Sequence, residues 1–187
     1  IKTPGIVVED LLQGDRNAIM LFLRTSSYGA DYSVQVTDPR NGVTFNSKVD
    51  LLQLKYKEVN EYPDDFGHFK VEIPMRKKIV TFRLISSGED AILFKKAEQI
   101  KEAYGEEVSQ YPTMKLKAHV VAIGDKTDRS YIDRFIDAMP ALDAVKIRRK
   151  IMEVNPDVDM KYEFTTKDGY KFEAYLTLGL DFFFPNT

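Results

Sequence analysis

Cysteine is absent from this chain of 187 residues, and histidine is nearly absent. The lack of cysteine excludes disulfides, thiolate metal sites and cysteine nucleophiles, and it agrees with synthesis in a reducing cytosol. The two histidines are His68 and His119. His68 lies in a polar stretch and is predicted to be exposed. His119 lies among apolar residues and is interpreted as a satisfied core residue rather than a catalytic base.

Long apolar runs and a strong net charge are lacking too. The longest apolar runs, such as residues 18–23, are far shorter than the roughly 18 residues that span a bilayer, so no membrane insertion is expected. The formal net charge of -2 gives no general reason to expect nucleic acid or an anionic membrane as a partner. A hydrophobic content of 43% and a charged content of 30% are ordinary for a globular protein.

Catalytic motifs are missing as well. The sequence contains no nucleophile elbow, phosphate-binding loop or paired metal-ligand motif. Asp64 and Asp65 are adjacent acids, but consecutive loop residues need not converge on a substrate, so they are interpreted as solvated turn residues. The protein is therefore predicted not to be an enzyme, and it is expected to carry no cofactor and no metal.

Hydrophobic spacing and turn residues predict an α+β fold, with β-hairpins at both ends of one compact unit and helices in the middle. The predicted helices span residues 15–24, 87–105, 131–138 and 143–154, with a capping box at Ser87-Gly88-Glu89-Asp90 and Asp143 as a cap. The predicted hairpins span residues 32–49, 69–85 and 160–178, and residues 52–56 extend the first one. Residues 114–123 fit a helix or a strand, and the spacing of their apolar residues favours a helix.

These elements are interpreted as a single domain over residues 1–187. Residues 1–85 would contribute one helix and two hairpins, and residues 86–156 would form the helical middle. Residues 157–187 would form the C-terminal hairpin and an aromatic tail.

The two outer hairpins share a spacing. Asp31 and Thr37 have the same separation as Asp159 and Thr165, and the step from Gly to Phe after each turn is also the same. The turns read TDPRNG and TTKDG. Two explanations remain open: a repeated unit, or the common chemistry of Asx-Gly turns, which makes many hairpins look alike.

Four segments follow one another along the chain: GDRNAIMLFLRTSSYG, VQVTDPRNGVTFNSKVDLLQLKYKE, KKIVTFRLISSGEDA and MPALDAVKIRRKIMEVNPDVDMKYEFTTKDGYKFEAYLTLGLDFFFP. Their order resembles the T4-like bacteriophage baseplate hub assembly protein family over nearly the whole chain. The resemblance implies a tail baseplate component or assembly factor, with other baseplate and hub proteins as partners in a hetero-oligomeric assembly. It implies a location in the host cytoplasm during assembly and in the virion tail baseplate if the protein is retained.

Many members of that family carry CPxCG in both outer hairpins, which implies zinc-ribbon-like knuckles joined by one zinc ion on four thiolates. In this chain the corresponding positions are Asp38, Asn41, Thr166 and Asp168, so the knuckles are degenerate. Asp38 and Asn41 are predicted to accept backbone hydrogen bonds within their turn. A metal site made by Asp38 and Asp168 is the alternative, which zinc chemistry disfavours.

Without a metal, the two hairpins must be joined by packing. The aromatic residues suited to this are Tyr32, Phe45, Phe164 and Phe172. They are predicted to form one cluster.

The C-terminal sequence LDFFFPN contains three consecutive phenylalanines, Phe182, Phe183 and Phe184. Successive strand residues point to opposite faces, so at least one of them is expected to face away from the core and to anchor a partner. The alternative is that Phe182 and Phe184 fill the core and Phe183 lies at its rim.

A basic helix segment is the second candidate for partner binding. Lys146, Arg148, Arg149 and Lys150 line this helix, and Lys146, Arg149 and Lys150 are the candidates for partner contact. A further basic cluster, Arg76-Lys77-Lys78, lies in a hairpin turn. These residues either form a solvated surface or bind an acidic protein surface. Nearby acidic stretches and the negative net charge disfavour nucleic acid.

The sequence and the resemblance together predict a non-enzymatic structural or assembly component of a tailed-phage baseplate hub that acts through protein–protein contacts. One alternative is an assembly chaperone that is absent from the mature virion. An alternative of another class is a degenerate zinc-ribbon module that binds nucleic acid.

Overall fold

The computed structural model describes residues 5, 7–105, 109–176 and 182, and in this part of the chain helices alternate with short strands. The α-helices are α1 (Gln13–Tyr28), α2 (Ser87–Tyr104), α3 (Tyr111–His119), α4 (Arg129–Asp137) and α5 (Ala141–Val154). The strands are β1 (Asp31–Thr37), β2 (Thr44–Asp50), β3 (Lys55–Tyr56), β4 (His68–Glu72), β5 (Ile79–Arg83), β6 (Val120–Ile123), β7 (Val158–Asp159), β8 (Lys161–Thr165) and β9 (Lys171–Tyr175). The predicted α+β class is confirmed.

The chain divides into two compact units. The central unit contains residues 1–13 and 59–155, and the hairpin unit contains residues 14–58 and 156–187. The prediction of a single domain over residues 1–187, with segments 1–85, 86–156 and 157–187, stays a prediction.

The central unit is built on the antiparallel sheet β4-β5-β6. In β4, buried Phe69 and Val71 alternate with exposed Lys70 and Glu72, so one sheet face is apolar. Helices α3, α4 and α5 bury their apolar side chains with this face in one core. The members of that core from the helices are Leu116, Ile132, Phe135, Ile136, Ile147 and Val154.

Helix α2 begins with a capping box, one residue earlier than predicted. The Ser86 side chain accepts a hydrogen bond from the Glu89 backbone N–H, and the Glu89 carboxylate accepts one from the Ser86 N–H. Gly88 approaches Glu9 so closely that an added Cβ would lie 2.9 Å from the Glu9 carbonyl oxygen. This position therefore requires glycine.

The helix predicted over residues 114–123 is wrong for its second half. Helix α3 ends at His119, and Val120–Ile123 form strand β6, which pairs with β5. Val120 and Val121 are β-branched and favour a strand. The pairing of β6 with β5, a partner distant in sequence, overrides the helical spacing.

Asp143 does not cap α5 as predicted. The helix begins at Ala141 after Pro140, and Asp143 is 0% exposed in the first turn. Its carboxylate accepts backbone hydrogen bonds from Met75 and Arg76 at 2.7 and 3.2 Å. It therefore fixes the turn between β4 and β5.

The hairpin unit contains the hairpins β1–β2 and β8–β9, the short pair β3–β7 and most of α1. The predicted extension of β2 through residue 56 is wrong, because Leu51–Gln53 form a 3-10 helix that Asp50 caps. The core of this unit contains Leu21, Tyr32, Val36, Val49, Leu51, Leu54, Val158, Phe164, Leu176 and Phe182. The likeness of the two hairpins to zinc-ribbon knuckles stays a prediction.

Among the described residues, no helix has both the length and the apolar character that crossing a membrane requires.

Candidate functional site: the hairpin junction and an exposed helix face

The side chain of Arg40 lies between the turns of the two outer hairpins. Its Nη2 donates to the Asp38 carboxylate at 2.7 Å and to the Asp168 carboxylate at 3.0 Å. Its Nε and Nη1 add contacts to the same two carboxylates at 3.1 and 3.0 Å. One guanidinium thus engages both carboxylates with several donors, the geometry that arginine suits best.

The local chemistry of the first turn places Arg40 at this point. The Asp38 side chain accepts the Arg40 backbone N–H, and the Asn41 side chain accepts the Val43 N–H, both at 2.9 Å. Gly42 supplies the positive φ of 72° that the turn needs. The predicted roles of Asp38 and Asn41 as turn residues are confirmed.

The second turn is ordered in a similar way. The Thr166 hydroxyl accepts the Tyr170 backbone N–H at 3.1 Å and donates to the Asp168 carboxylate. Gly169 has a φ of 85°. The ring of Tyr170 lies under the Arg40 guanidinium, 4.0 Å from its central carbon, which adds a cation–π contact to the junction.

The ion pairs shift the protonation equilibria of this cluster. The hydrogen bonds from Arg40 hold the pKa of Asp38 and of Asp168 below the usual aspartate value. The same bonds raise the pKa of Arg40. All three groups are therefore charged at neutral pH.

The predicted aromatic cluster is confirmed. Phe45 and Phe172 meet edge to face with ring centroids 6.3 Å apart, and Phe172 lies 6.0 Å from Phe164. Tyr32 and Phe164 belong to the core of the same unit, and Phe45 and Phe172 pack against it. The two hairpins are thus joined by aromatic packing beneath the Arg40 ion pairs.

The four positions at which the resemblance places cysteines do not fit zinc in this chain. Asp38 and Asp168 face a guanidinium, the Asn41 amide oxygen is taken by a backbone N–H, and the Thr166 hydroxyl bonds within its turn. Zinc prefers sulfur and imidazole ligands, which the cluster lacks. Within the described residues, no group of three or more histidine, aspartate or glutamate side chains is placed to hold a metal ion.

The C-terminal phenylalanines give a correction. Phe182 is 0% exposed, and its ring meets Tyr32 edge to face at 5.1 Å. For Phe182 the structure supports the alternative expectation, a core residue, and its candidacy as a partner-binding residue is wrong, because the hairpin unit uses this ring to complete its own core. Phe183 and Phe184 lie outside the described residues.

His119 is buried, as predicted. Its Nδ1 lies 2.7 Å from the Arg83 carbonyl oxygen, and a carbonyl can only accept, so Nδ1 carries the proton. Nε2 has no hydrogen-bond partner among the described residues. Burial lowers the pKa of His119 below its usual value.

The three predicted basic residues of α5 differ in their surroundings. Lys146 and Arg149 are exposed and form no ion pair within the described part of the chain. The Lys150 ammonium is paired with Glu61 and Glu153, and only 17% of its side chain is exposed. Lys150 therefore serves the central unit itself, and of these three candidates Lys146 and Arg149 are the two that a partner can reach.

Three exposed apolar residues of α5 were missed by the sequence reasoning. Leu142, Val145 and Met152 are 62%, 45% and 71% exposed. Their spacing places them on one helix face together with Arg149, opposite buried Ile147. The signal was present in the sequence as a second apolar stripe on an amphipathic helix. We name Leu142, Val145, Lys146, Arg149 and Met152 the outer face of α5.

Comparison with known proteins gives one result. The sequence model of the T4 bacteriophage base plate protein family matches residues 2–185. No significant match is found among curated proteins or solved structures. Membership in this family makes the protein a component of the phage tail baseplate, with other baseplate proteins as its neighbours. The chain belongs to the T4 bacteriophage base plate protein family.

Proposed function

We propose that the protein is a non-enzymatic structural component of the baseplate hub, and that it binds a neighbouring hub protein through the outer face of α5. The exposed apolar stripe of this helix, flanked by cations without ion pairs among the described residues, is the observation that carries the proposal.

The composition of the outer face supports a protein partner. Leu142, Val145 and Met152 would supply the apolar centre that buried interface cores contain, and Lys146 and Arg149 would lie at its rim. Rim cations contribute to the rate and orientation of association with an acidic surface. A partner helix could pack along this face through residues spaced three and four apart.

The proposed assembly forms in the host cytoplasm and stays in the virion tail as part of a hetero-oligomeric hub. An assembly chaperone could use the same helix face. The two roles differ in the final location of the protein, because a structural component stays in the mature virion and a chaperone does not. Mass spectrometry of purified particles decides between them. Stoichiometric recovery of the protein supports a retained component, and its absence from particles that required it for assembly indicates a chaperone.

Nucleic-acid binding is the alternative of another class. The two accessible cations of the outer face stand beside apolar side chains, and the whole chain has a net charge of -2. Nucleic-acid surfaces instead concentrate basic residues along the phosphate path. Salt-dependent retention on immobilised DNA would favour this alternative and contradict our proposal.

The docking experiment uses matched double variants in a phage that lacks this gene and is complemented in trans. Leu142→Ser with Val145→Ser removes two exposed aliphatic side chains from the outer face. Ile92→Ser with Leu23→Ser is the control, because these residues are 69% and 50% exposed on other helices. We expect the first variant to stay folded but to be depleted from the baseplates of purified particles, with normal incorporation of the control. Equal incorporation of both would exclude the outer face of α5 as the docking site.

A further inference from the structure

The central unit has a second surface feature, an open depression of about 590 Å³. It is lined by Arg76, Lys78, Tyr131, Arg134 and Phe135, and we name it the basic depression. We propose that it binds the side-chain carboxylates of an acidic segment in a neighbouring baseplate protein. This inference rests on the proposed function for the identity of the partner, and it concerns a surface separate from the residues of the outer face.

In the part of the chain that the structure describes, the cations of the basic depression lack acidic partners. Within the described residues, no ion pair involves Arg76, Lys78 or Arg134, although surface ion pairs occur nearby. The carboxylates of Asp133 and Asp137, on the same helix as Arg134, are paired with Arg129 and Lys117. The depression therefore presents three uncompensated positive charges.

A buried carboxylate fixes the turn that carries two of these cations. Both carboxylate oxygens of Asp143 accept hydrogen bonds from backbone N–H groups, one from Met75 and one from Arg76. The negative charge of Asp143 therefore interacts with the backbone of the turn. The Lys77 N–H donates to the Ile73 carbonyl at 3.1 Å, which closes the turn. The positions of Arg76 and Lys78 are thus defined before any partner arrives, which lowers the entropic cost of binding.

The arginine side chains are also oriented by their surroundings. The Arg76 guanidinium lies 4.6 Å from the centre of the Phe135 ring and donates to the Ala138 carbonyl. The Arg134 Nε donates to the Ser130 carbonyl at 3.2 Å. The remaining N–H groups of both guanidinium groups are suited to carboxylate oxygens, because their planar fork matches that geometry.

An acidic protein segment fits the basic depression better than nucleic acid does. The cations converge on one open depression beside aromatic rings, whereas a phosphate backbone requires cations along several nucleotides. A few carboxylates, with apolar stems that can lie on Tyr131 and Phe135, match this arrangement.

The binding test uses a fluorescein-labelled hexaglutamate peptide and fluorescence anisotropy. The charge-reversal variant is Lys78→Glu with Arg134→Glu. Lys95→Glu with Lys96→Glu is the control, since both lysines are exposed on α2 and the change in net charge is the same. We expect the wild type and the control to bind the peptide, and the depression variant to lose at least tenfold in affinity.

Three outcomes would overturn the proposal. One is the absence of peptide binding by the wild-type protein at low salt. Another is an equal loss in the depression variant and the control, which would reflect overall charge only. The third is tighter binding of a labelled hexathymidylate, which would indicate a phosphate site. The first two outcomes do not affect the proposed hub role, and the third would favour the nucleic-acid alternative. The hub role itself is tested separately by recovery of the wild-type protein from purified particles.

Discussion

The guanidinium of Arg40 and the carboxylate of Asp168, 128 residues apart in sequence, form an ion pair at 3.0 Å. Together with Asp38 they join the two outer hairpins at the positions where the family resemblance places zinc ligands. Ionic strength hardly affects zinc–thiolate bonds. It does weaken this ion pair, because the side chains of Arg40 and Asp168 are 39% and 63% exposed. The aromatic cluster beneath it is thus expected to carry most of the stability of the hairpin unit.

Phe45→Ala and Phe172→Ala test this aromatic cluster. Both rings are half-buried, so each substitution is expected to cost about 1–3 kcal/mol, less than the about 3–5 kcal/mol of a fully buried phenylalanine. The double variant should lose less than the sum, because the rings touch. Urea denaturation of all four proteins measures the coupling. Strict additivity would show that the two hairpins do not support one another.

Arg40→Gln tests the ion cluster. It leaves the nearly buried Asp38 carboxylate without its cation, so we expect a lower melting temperature than for Asp168→Asn, which removes a largely exposed partner. The difference between wild type and Arg40→Gln should shrink in concentrated sodium chloride. Arg148→Gln is the control, because Arg148 is exposed and makes no ion pair in the described residues. An equal effect of Arg148→Gln would remove any special role for Arg40.

Phe182→Ala tests the corrected role of this residue. Because the side chain is 0% exposed, its truncation is expected to cost about 3–5 kcal/mol. Phe22→Ala is the control, because Phe22 is 65% exposed and such surface changes stay within about 0.5 kcal/mol. Chemical denaturation compares the two variants. A small loss for Phe182→Ala would return this residue to the list of partner-binding candidates.

His119 predicts a dependence of stability on pH. Burial is the main cause that lowers its pKa below the ordinary 6.5, and the charges of Lys115 and Arg83 act in the same direction. The hydrogen bond to the Arg83 carbonyl and the charge of Asp90 oppose this shift without cancelling it. The unfolded chain thus binds a proton more readily than the folded one, and stability is full above pH 6.5 and falls as the pH drops below it. His119→Gln should lose less stability than the wild type between about pH 7 and about pH 5. His68→Gln is the control, and thermal melts across this range provide the measurement. Parallel curves for wild type and His119→Gln would contradict the prediction.

Local features were predicted well from the sequence. The turns at Asn41-Gly42 and Asp168-Gly169 have the expected geometry, since their backbone conformation and hydrogen bonds involve only neighbouring residues. The capping box of α2 was placed within one residue, for the same reason. The aromatic cluster also followed from the sequence, but only through the resemblance that paired the two outer hairpins.

Features that depend on distant partners were not predictable in this way. The segment Val120–Ile123 forms a strand because β5 offers an edge to pair with, and Asp143 is buried because the turn at Met75 offers backbone donors. The outer face of α5 had a signal in the sequence, its second apolar stripe, but the structure was needed to show that Ile147 and Val154 face the core and leave this stripe exposed.

The sequence by itself determined most of the helices, the turns of the outer hairpins and the absence of thiolate ligands, because periodicity, turn chemistry and residue type are properties of short segments. The tertiary structure decided that Arg40 lies between the carboxylates of two distant turns and that Phe182 belongs to the core. It also decided that Lys150 is paired, whereas Lys146 and Arg149 are exposed and form no ion pair in the described part of the chain. The sequence shows which side chains are charged and which are apolar. The residues that pair with the charges or cover the apolar side chains can lie anywhere along the chain. Only the folded chain shows which cations and apolar surfaces are left for a partner.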